Sequence, residues 1–481
     1  LKKKFFLNLI LLVSLNLVVK PFWIFGIDRT VQNVTGAEAY GFYFSLFSFS
    51  LLLNILLDAG ITNYNNRVIS REPEKLSVWF SQLFLIRLLL AVVYVIVSIA
   101  IAIILGYSPR QLHLLWFLIL NQFLASLILF FRSNITGLHL FKTDSVLSVA
   151  DRILMILLVG IVLWGHVTDQ PFRIEWYVYL QSLAYGIVAV AAFILVLTKT
   201  KFFRPRFDKM FFFRIVRESF PFAVLTFLMA LYYRVDSVML ERMLPDGARQ
   251  AGIYAQAFRL LDAFVMYAYL FSVILLPLFS RMIKEDKPVT ELVKFAFLLM
   301  MIPILILGIT TIIYRYPVMH FLYLSHAEAS SDVLGLLMVA LIFASSGYLF
   351  GTLLTARGDI KQLSWLAAGG FLLNILLNFI LIPRFQTIGA AWASLVTQAG
   401  IGIIQILMVS RRLRMPVNRM VPLRTFVFAG IITLTSLILY GSGMNPLTGY
   451  LIQLALSLLL AVMIKLIPLK QMITILVSVE E

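Results

Sequence analysis

A chain of 481 residues that is 61% hydrophobic and only 13% charged is too apolar for a water-soluble globule, in which about half the residues are apolar and about a quarter charged. Its formal charge of +17 lies in short segments between apolar runs and not on the basic face of a soluble fold. That placement excludes nucleic acid as a partner and suits topology signals and contact with membrane lipids. The absence of Cys excludes disulfides and thiol chemistry, and the five His are scattered without the spacing of a metal site, so neither a metal nor a cofactor is expected.

Apolar runs of about 20 residues predict membrane-spanning helices. In chain order they fall at 5–25, 38–62, 77–105, 112–136, 146–165, 175–198, 213–235, 250–280, 292–313, 332–356, 362–382, 388–410, 424–441 and 447–468. Lys2, Lys3 and Lys4 precede the first run as in a signal peptide, but no small-residue cleavage pattern follows, so it reads as a retained first helix. The longest segment between spans is 314–331, too short for a soluble domain. With the amino terminus placed inside, 27 Lys/Arg fall on the cytoplasmic side and 7 outside, which predicts an even number of spans and both termini in the cytoplasm.

The second and eighth spans open alike. Gly36-Ala-Glu-Ala-Tyr-Gly41-Phe-Tyr43 and Gly247-Ala-Arg-Gln-Ala-Gly252-Ile-Tyr254 share Gly-Ala-x-x-x-Gly-x-Tyr at an offset of 211 residues. Each preceding helix contains a proline, Pro21 or Pro221, and ends in an aliphatic-Asp pair, Ile27-Asp28 or Val235-Asp236, and each following helix ends in a basic residue, Arg71 or Arg281. Several matches in one order predict a six-helix duplication. The expected fold is an all-α integral membrane bundle of about fourteen helices. It has two six-helix lobes in parallel repeat, 1–200 and 201–411, and two further helices in 412–481.

Charges inside the spans are costly unless they face a wet cavity or a partner, which makes them the candidate site residues. Lys20, Arg87, Arg234 and Arg259 stand out, Arg87 and Arg259 near mid-span and Lys20 and Arg234 toward the outer face. Arg132 and Arg152, near helix ends, read as snorkelling or structural. Asp58 and Asp262 are candidates for ion coupling, although Asp262 also lies one turn from Arg259 and is placed to pair with it. Lys20 and Arg87 have no carboxylate nearby in sequence, and a cationic surplus suits an anionic cargo such as a diphosphate. No Walker A, nucleophile-elbow or Asp-x-Asp motif occurs, so no catalytic residues are expected and the chain reads as a transporter and not an enzyme.

The eleventh and twelfth spans carry Leu372-Leu373-Asn374, Asn378, Leu381-Ile382-Pro383 and Ile388-Gly389-Ala390-Ala391-Trp392-Ala393-Ser394. Asn374 and Asn378 share a helix face and can bond a neighbour, and the small residues permit close packing. Together with the Gly36/Gly41/Tyr43 opening, this pattern resembles the polysaccharide-export branch, the O-antigen-type flippases, of the multidrug/oligosaccharidyl-lipid/polysaccharide exporter superfamily. The resemblance implies an alternating-access bundle in the bacterial inner membrane that moves an undecaprenyl-diphosphate-linked glycan outward. Related lipid II flippases carry arginines on their first, second and eighth helices. By that likeness Lys20 or Arg29 would fill the first-helix role and Arg259 the eighth. The second span lacks an arginine in its apolar run, which favours a glycan other than the peptidoglycan precursor. Two competing readings are a drug or cation antiporter of the same superfamily, which would need a carboxylate-lined cavity, and a membrane polysaccharide polymerase or ligase, for which Arg315, His320 and His326 in 314–331 would be the candidates.

Overall fold

The computed structural model describes residues 15–16, 18–58, 60–165, 167–205, 207–413, 420–464 and 466. The predicted start of the first span, 5–14, and most of the last segment beyond 464 lie outside them. Among the described residues the protein is helical without a strand, and eleven helices are long and apolar enough to cross a membrane. The chain divides into two compact units, Leu1–Val238 and Met239–Glu481, the division falling inside one helix.

In the first unit a helix runs from residue 18 through a π-helical stretch, Trp23–Asp28, and into α1, Arg29–Leu52. Gly36 breaks α1 at φ 82°, ψ 165°, a backbone region essentially restricted to glycine. The first span therefore ends at Thr35, ten residues beyond its predicted end, and the second begins at Ala37 with no loop between them. The second is itself interrupted: after Leu52 come a turn, the single helical turn Ile55–Asp58, a left-handed Gly60 and then α2, Ile61–Arg71. Four long helices follow, α3 (Leu76–Ile104), α4 (Pro109–Gly137), α5 (Phe141–Trp164) and α6 (Ile174–Leu197), before α7 (Lys209–Met243). Ser108 and Gln111 start α4 with a reciprocal capping box and Pro109 in its first turn. A cluster of Phe80, Phe84, Phe130, Phe131, Phe193 and Phe203 welds α3, α4 and α6 to the segment before α7. Polar bonds add to this packing where lipid offers none: Asn121 to Gln181 at 3.2 Å joins α4 and α6, and Asn65 to Ser133 at 2.8 Å joins α2 and α4.

The second unit comprises α8 (Gly247–Lys284), α9 (Thr290–Ile313), the short helix Arg315–Leu322, α10 (Ala327–Arg357), α11 (Ile360–Leu413), α12 (Met420–Gly441) and α13 (Pro446–Met463). The predicted 314–331 connection is thus largely helical. α11 is two spans, since Gln386 interrupts it at φ 52°, ψ −128°. A Cβ built on Gly370 would lie 2.6 Å from Ile401, so the chain doubles back, where a straight helix would hold these residues about 46 Å apart. Asn374 and Asn378, both buried, bond each other at 3.0 Å. Gln453 of α13 donates to Thr435 of α12 at 2.8 Å, and Tyr450 meets Thr311 of α9 at 3.0 Å. Counting α11 as two and adding the first two spans accounts for the fourteen expected crossings.

Candidate functional site

Within the spans of the first unit, charged side chains among the described residues gather at two places. The first is the interruption of the second span, where the helical turn Ile55–Asp58 ends and left-handed Gly60 precedes α2. Arg87 of α3, 1% exposed, fills this gap. Its guanidinium pairs with Asp58, donates to the Leu57 carbonyl at 3.2 Å and to Ser126 Oγ at 2.7 Å, and lies 5.0 Å from the Phe130 ring centre. Asp58 also accepts from the backbone N–H of Thr62 at 3.1 Å, capping α2. Arg87, which has no carboxylate near it in sequence, finds one in space. Asp58 comes from another helix, across the break, and sequence distance hid it.

The second place is where the first helix packs against α5 and α6. Asp28, buried in the π-helical stretch, accepts from Tyr40 at 2.7 Å and Tyr177 at 2.6 Å. Tyr177 stacks on Trp23 at 5.8 Å and meets Tyr43 edge-on at 5.3 Å. Toward the other end, Asn16 donates to Ser148 at 3.0 Å, which sets Lys20 beside the first turns of α5. There Lys20 interacts electrostatically with Arg152, Asp151 and Arg132. Arg152 donates to Tyr185 at 2.9 Å, and its guanidinium lies 5.6 Å from the Trp23 ring centre. Arg132 holds Asp144 through two bonds, at 2.7 and 3.2 Å. Three cations thus stand against two carboxylates in one half-buried cluster.

Sequence placed Lys20 toward the outer face, away from Arg132 and Arg152. The structure brings the three together because the first helix continues ten residues further, which moves Lys20 about 15 Å along its axis. The same extension puts Arg29 inside the helix, not in a loop. Arg234 lies in α7 with its guanidinium 5.3 Å from the Tyr233 ring centre. Arg259 and Asp262 stand half-buried one turn apart on α8, in the second unit. Two residues set aside on sequence, Arg132 and Arg152, join the cluster. Their signal was their position on adjacent spans, each with an Asp nearby at 144 or 151.

Residues 8–283 match the family described as Polysaccharide biosynthesis protein, more than half of the chain, and the protein belongs to that family. Comparison with curated proteins gives no significant match. Among solved structures, the chain is similar to the lipid II flippase MurJ in an inward closed conformation, with TM-score 0.68, 15% identity, and 95% of this chain and 99% of that one covered. A multidrug resistance MATE family transporter of the MOP superfamily, inward-facing, aligns with TM-score 0.63 at 13% identity over 84% of this chain and 98% of that one. The Vibrio cholerae MATE transporter VcmN in its bent form aligns with TM-score 0.56 at 14% identity over 86% and 97%. The fold is therefore that of the MOP transporters, and the protein is a multi-pass membrane protein.

Proposed function

We propose that the protein is a flippase that carries a polyprenyl-diphosphate-linked oligosaccharide of the undecaprenyl type outward across the bacterial inner membrane, for surface polysaccharide synthesis. The observation that carries this reading is the cationic cluster of Lys20, Arg132 and Arg152 in the first unit of a polysaccharide-biosynthesis family member. A diphosphate leaving water must exchange its hydration for charge-assisted hydrogen bonds, and arginine supplies them in pairs. The carboxylates of Asp144 and Asp151 keep the cluster near neutrality when no cargo is present, which limits the cost of holding it among apolar helices. Arg29, Arg234 and Arg259 are the further cations of the proposed path, and Asp262 a candidate for coupling to an ion gradient.

An antiporter of cationic drugs would need carboxylates that face the cargo. The buried carboxylate of the first helix, Asp28, is instead engaged by two tyrosine hydroxyls. A polymerase would need an open catalytic loop, and 314–331 is mostly helix.

The test is transport by purified protein in liposomes, with a fluorescent undecaprenyl-diphosphate oligosaccharide as probe. Wild type should move the lipid without lengthening its glycan. Lys20→Ala and Arg152→Ala should each lower the rate about tenfold or more, and Arg152→Lys should restore part of it, since charge is kept and the fork is lost. Unchanged transport in both alanine variants, or transport of cationic dyes only, would refute the reading.

A further inference from the structure

A concave site lies in the first unit, at the end where α3 passes to α4 and α5 to α6. It is a cavity of about 780 Å³, lined by Arg110, residues 171–176 and Tyr179, and by Val34, Thr35 and Ala39 on either side of the Gly36 break. None of these residues belongs to the cationic cluster, and the α5–α6 connection that supplies Arg173 lies at the opposite end of α5 from Asp144, Asp151 and Arg152.

The lining combines three chemistries. Aromatic faces come from Trp176 and Tyr179, three residues apart on the first turns of α6 and both partly exposed. A carboxylate and a guanidinium stand side by side: Glu175 accepts from Arg110 at 2.9 Å. A second guanidinium, Arg173, adds its charge to the same carboxylate's surroundings, so the rim carries one net positive charge. The side chains are held before any ligand arrives. Tyr179 bonds His113 at 3.1 Å and packs on Phe117 at 4.5 Å, Trp176 meets Phe172 edge-on at 6.0 Å, and Arg110 lies 5.1 Å from the Phe42 ring centre. Such preorganisation lowers the ordering cost of binding.

We infer that this cavity is a saccharide-binding site that receives the glycan head of the transported lipid, with preference for a sugar ring bearing a carboxylate. A sugar ring offers an apolar C–H face to an aromatic plane and a rim of hydroxyls to paired donors and acceptors. Trp176 and Tyr179 supply the first, Glu175 and Arg110 the second, and the surplus Arg173 selects for an acidic substituent. The assignment of the occupant to the cargo rests on the flippase reading. The saccharide chemistry of the cavity does not, so the two are tested separately.

Saturation-transfer NMR on the full-length protein in nanodiscs, with free methyl β-glucuronide and methyl β-glucoside as probes, contains neither polyprenyl lipid nor diphosphate. Saturation should reach the ring protons of both and be stronger for the glucuronide. Trp176→Ala should lower it about tenfold for both, while Trp176→Phe keeps most of it. Arg173→Ala should erase the difference between the two sugars, and Lys20→Ala should leave both signals intact. Equal signals from wild type and Trp176→Ala, with Trp176→Phe confirming a folded protein, would overturn the site. In the liposome assay, Trp176→Ala should slow the oligosaccharide-bearing lipid but not undecaprenyl diphosphate carrying no sugar. A sugar signal in NMR with no such difference in transport would overturn the cargo as occupant. Loss of all lipid transport with sugar binding retained would strike the flippase reading alone.

Discussion

Arg87 shows how much a single partner changes the reading of a charge. In isolation, an arginine near mid-span looks like a cargo ligand. Opposite Asp58 it stands at the break in the second span, bonding the Leu57 carbonyl as well as the carboxylate. Arg87 is buried but Asp58 is 30% exposed, so removing the arginine leaves a carboxylate that water partly reaches, at a cost of about 1–3 kcal/mol. Arg87→Ala should therefore lower both membrane abundance and thermal midpoint, while the double variant Arg87→Leu/Asp58→Asn recovers part of the loss. Quantitative immunoblotting of membranes measures the first, and thermal unfolding of purified protein followed by tryptophan fluorescence the second. Transport lost at unchanged stability in Arg87→Ala would instead restore the cargo role expected from sequence. What sequence showed at this scale was which charges lay inside spans. It did not show their partners, because Asp58, Arg87 and Ser126 come from three separate helical segments.

At the scale of elements, the long apolar helices were legible and the polar ones were not. Residues 26–35, Gly-Ile-Asp-Arg-Thr-Val-Gln-Asn-Val-Thr, read as a loop by hydropathy, yet they are helical. Their polarity is absorbed within the bundle, as when Tyr40 and Tyr177 satisfy Asp28. Lys20 was misplaced in depth for this reason alone. The repeated Gly-Ala-x-x-x-Gly-x-Tyr opening was legible as a pattern, and each copy has a structural reason. Gly36 occupies φ 82°, and a Cβ on Gly247 would sit 2.2 Å from the Glu241 carbonyl oxygen. Tyr43 and Tyr254 each pack on a phenylalanine one turn later, Phe47 at 5.7 Å and Phe258 at 5.5 Å. Gly36→Ala should cost about 1–3 kcal/mol from backbone strain. Gly247→Ala should destabilise at least as much, because a backbone atom cannot swing aside as a side chain can. Melting curves of the two variants against Gly430→Ala, where a Cβ meets open space, check both.

For the whole molecule, the distribution of Lys and Arg predicts which ends of the helices face the cytoplasm. Reporter fusions after Lys209 should read cytoplasmic, and a fusion near Ser330 should read extracytoplasmic. An extracytoplasmic signal at Lys209 would break both the even count of six spans before it and the six-plus-six duplication. The turns at Gly36 and Gln386 bear on how the bundle assembles: each separates two helices by a single residue of non-helical backbone. The two helices of each pair are therefore neighbours as soon as both have formed. Asp28 finds one tyrosine partner, Tyr40, inside its own hairpin, and waits for α6 to bring the other, Tyr177.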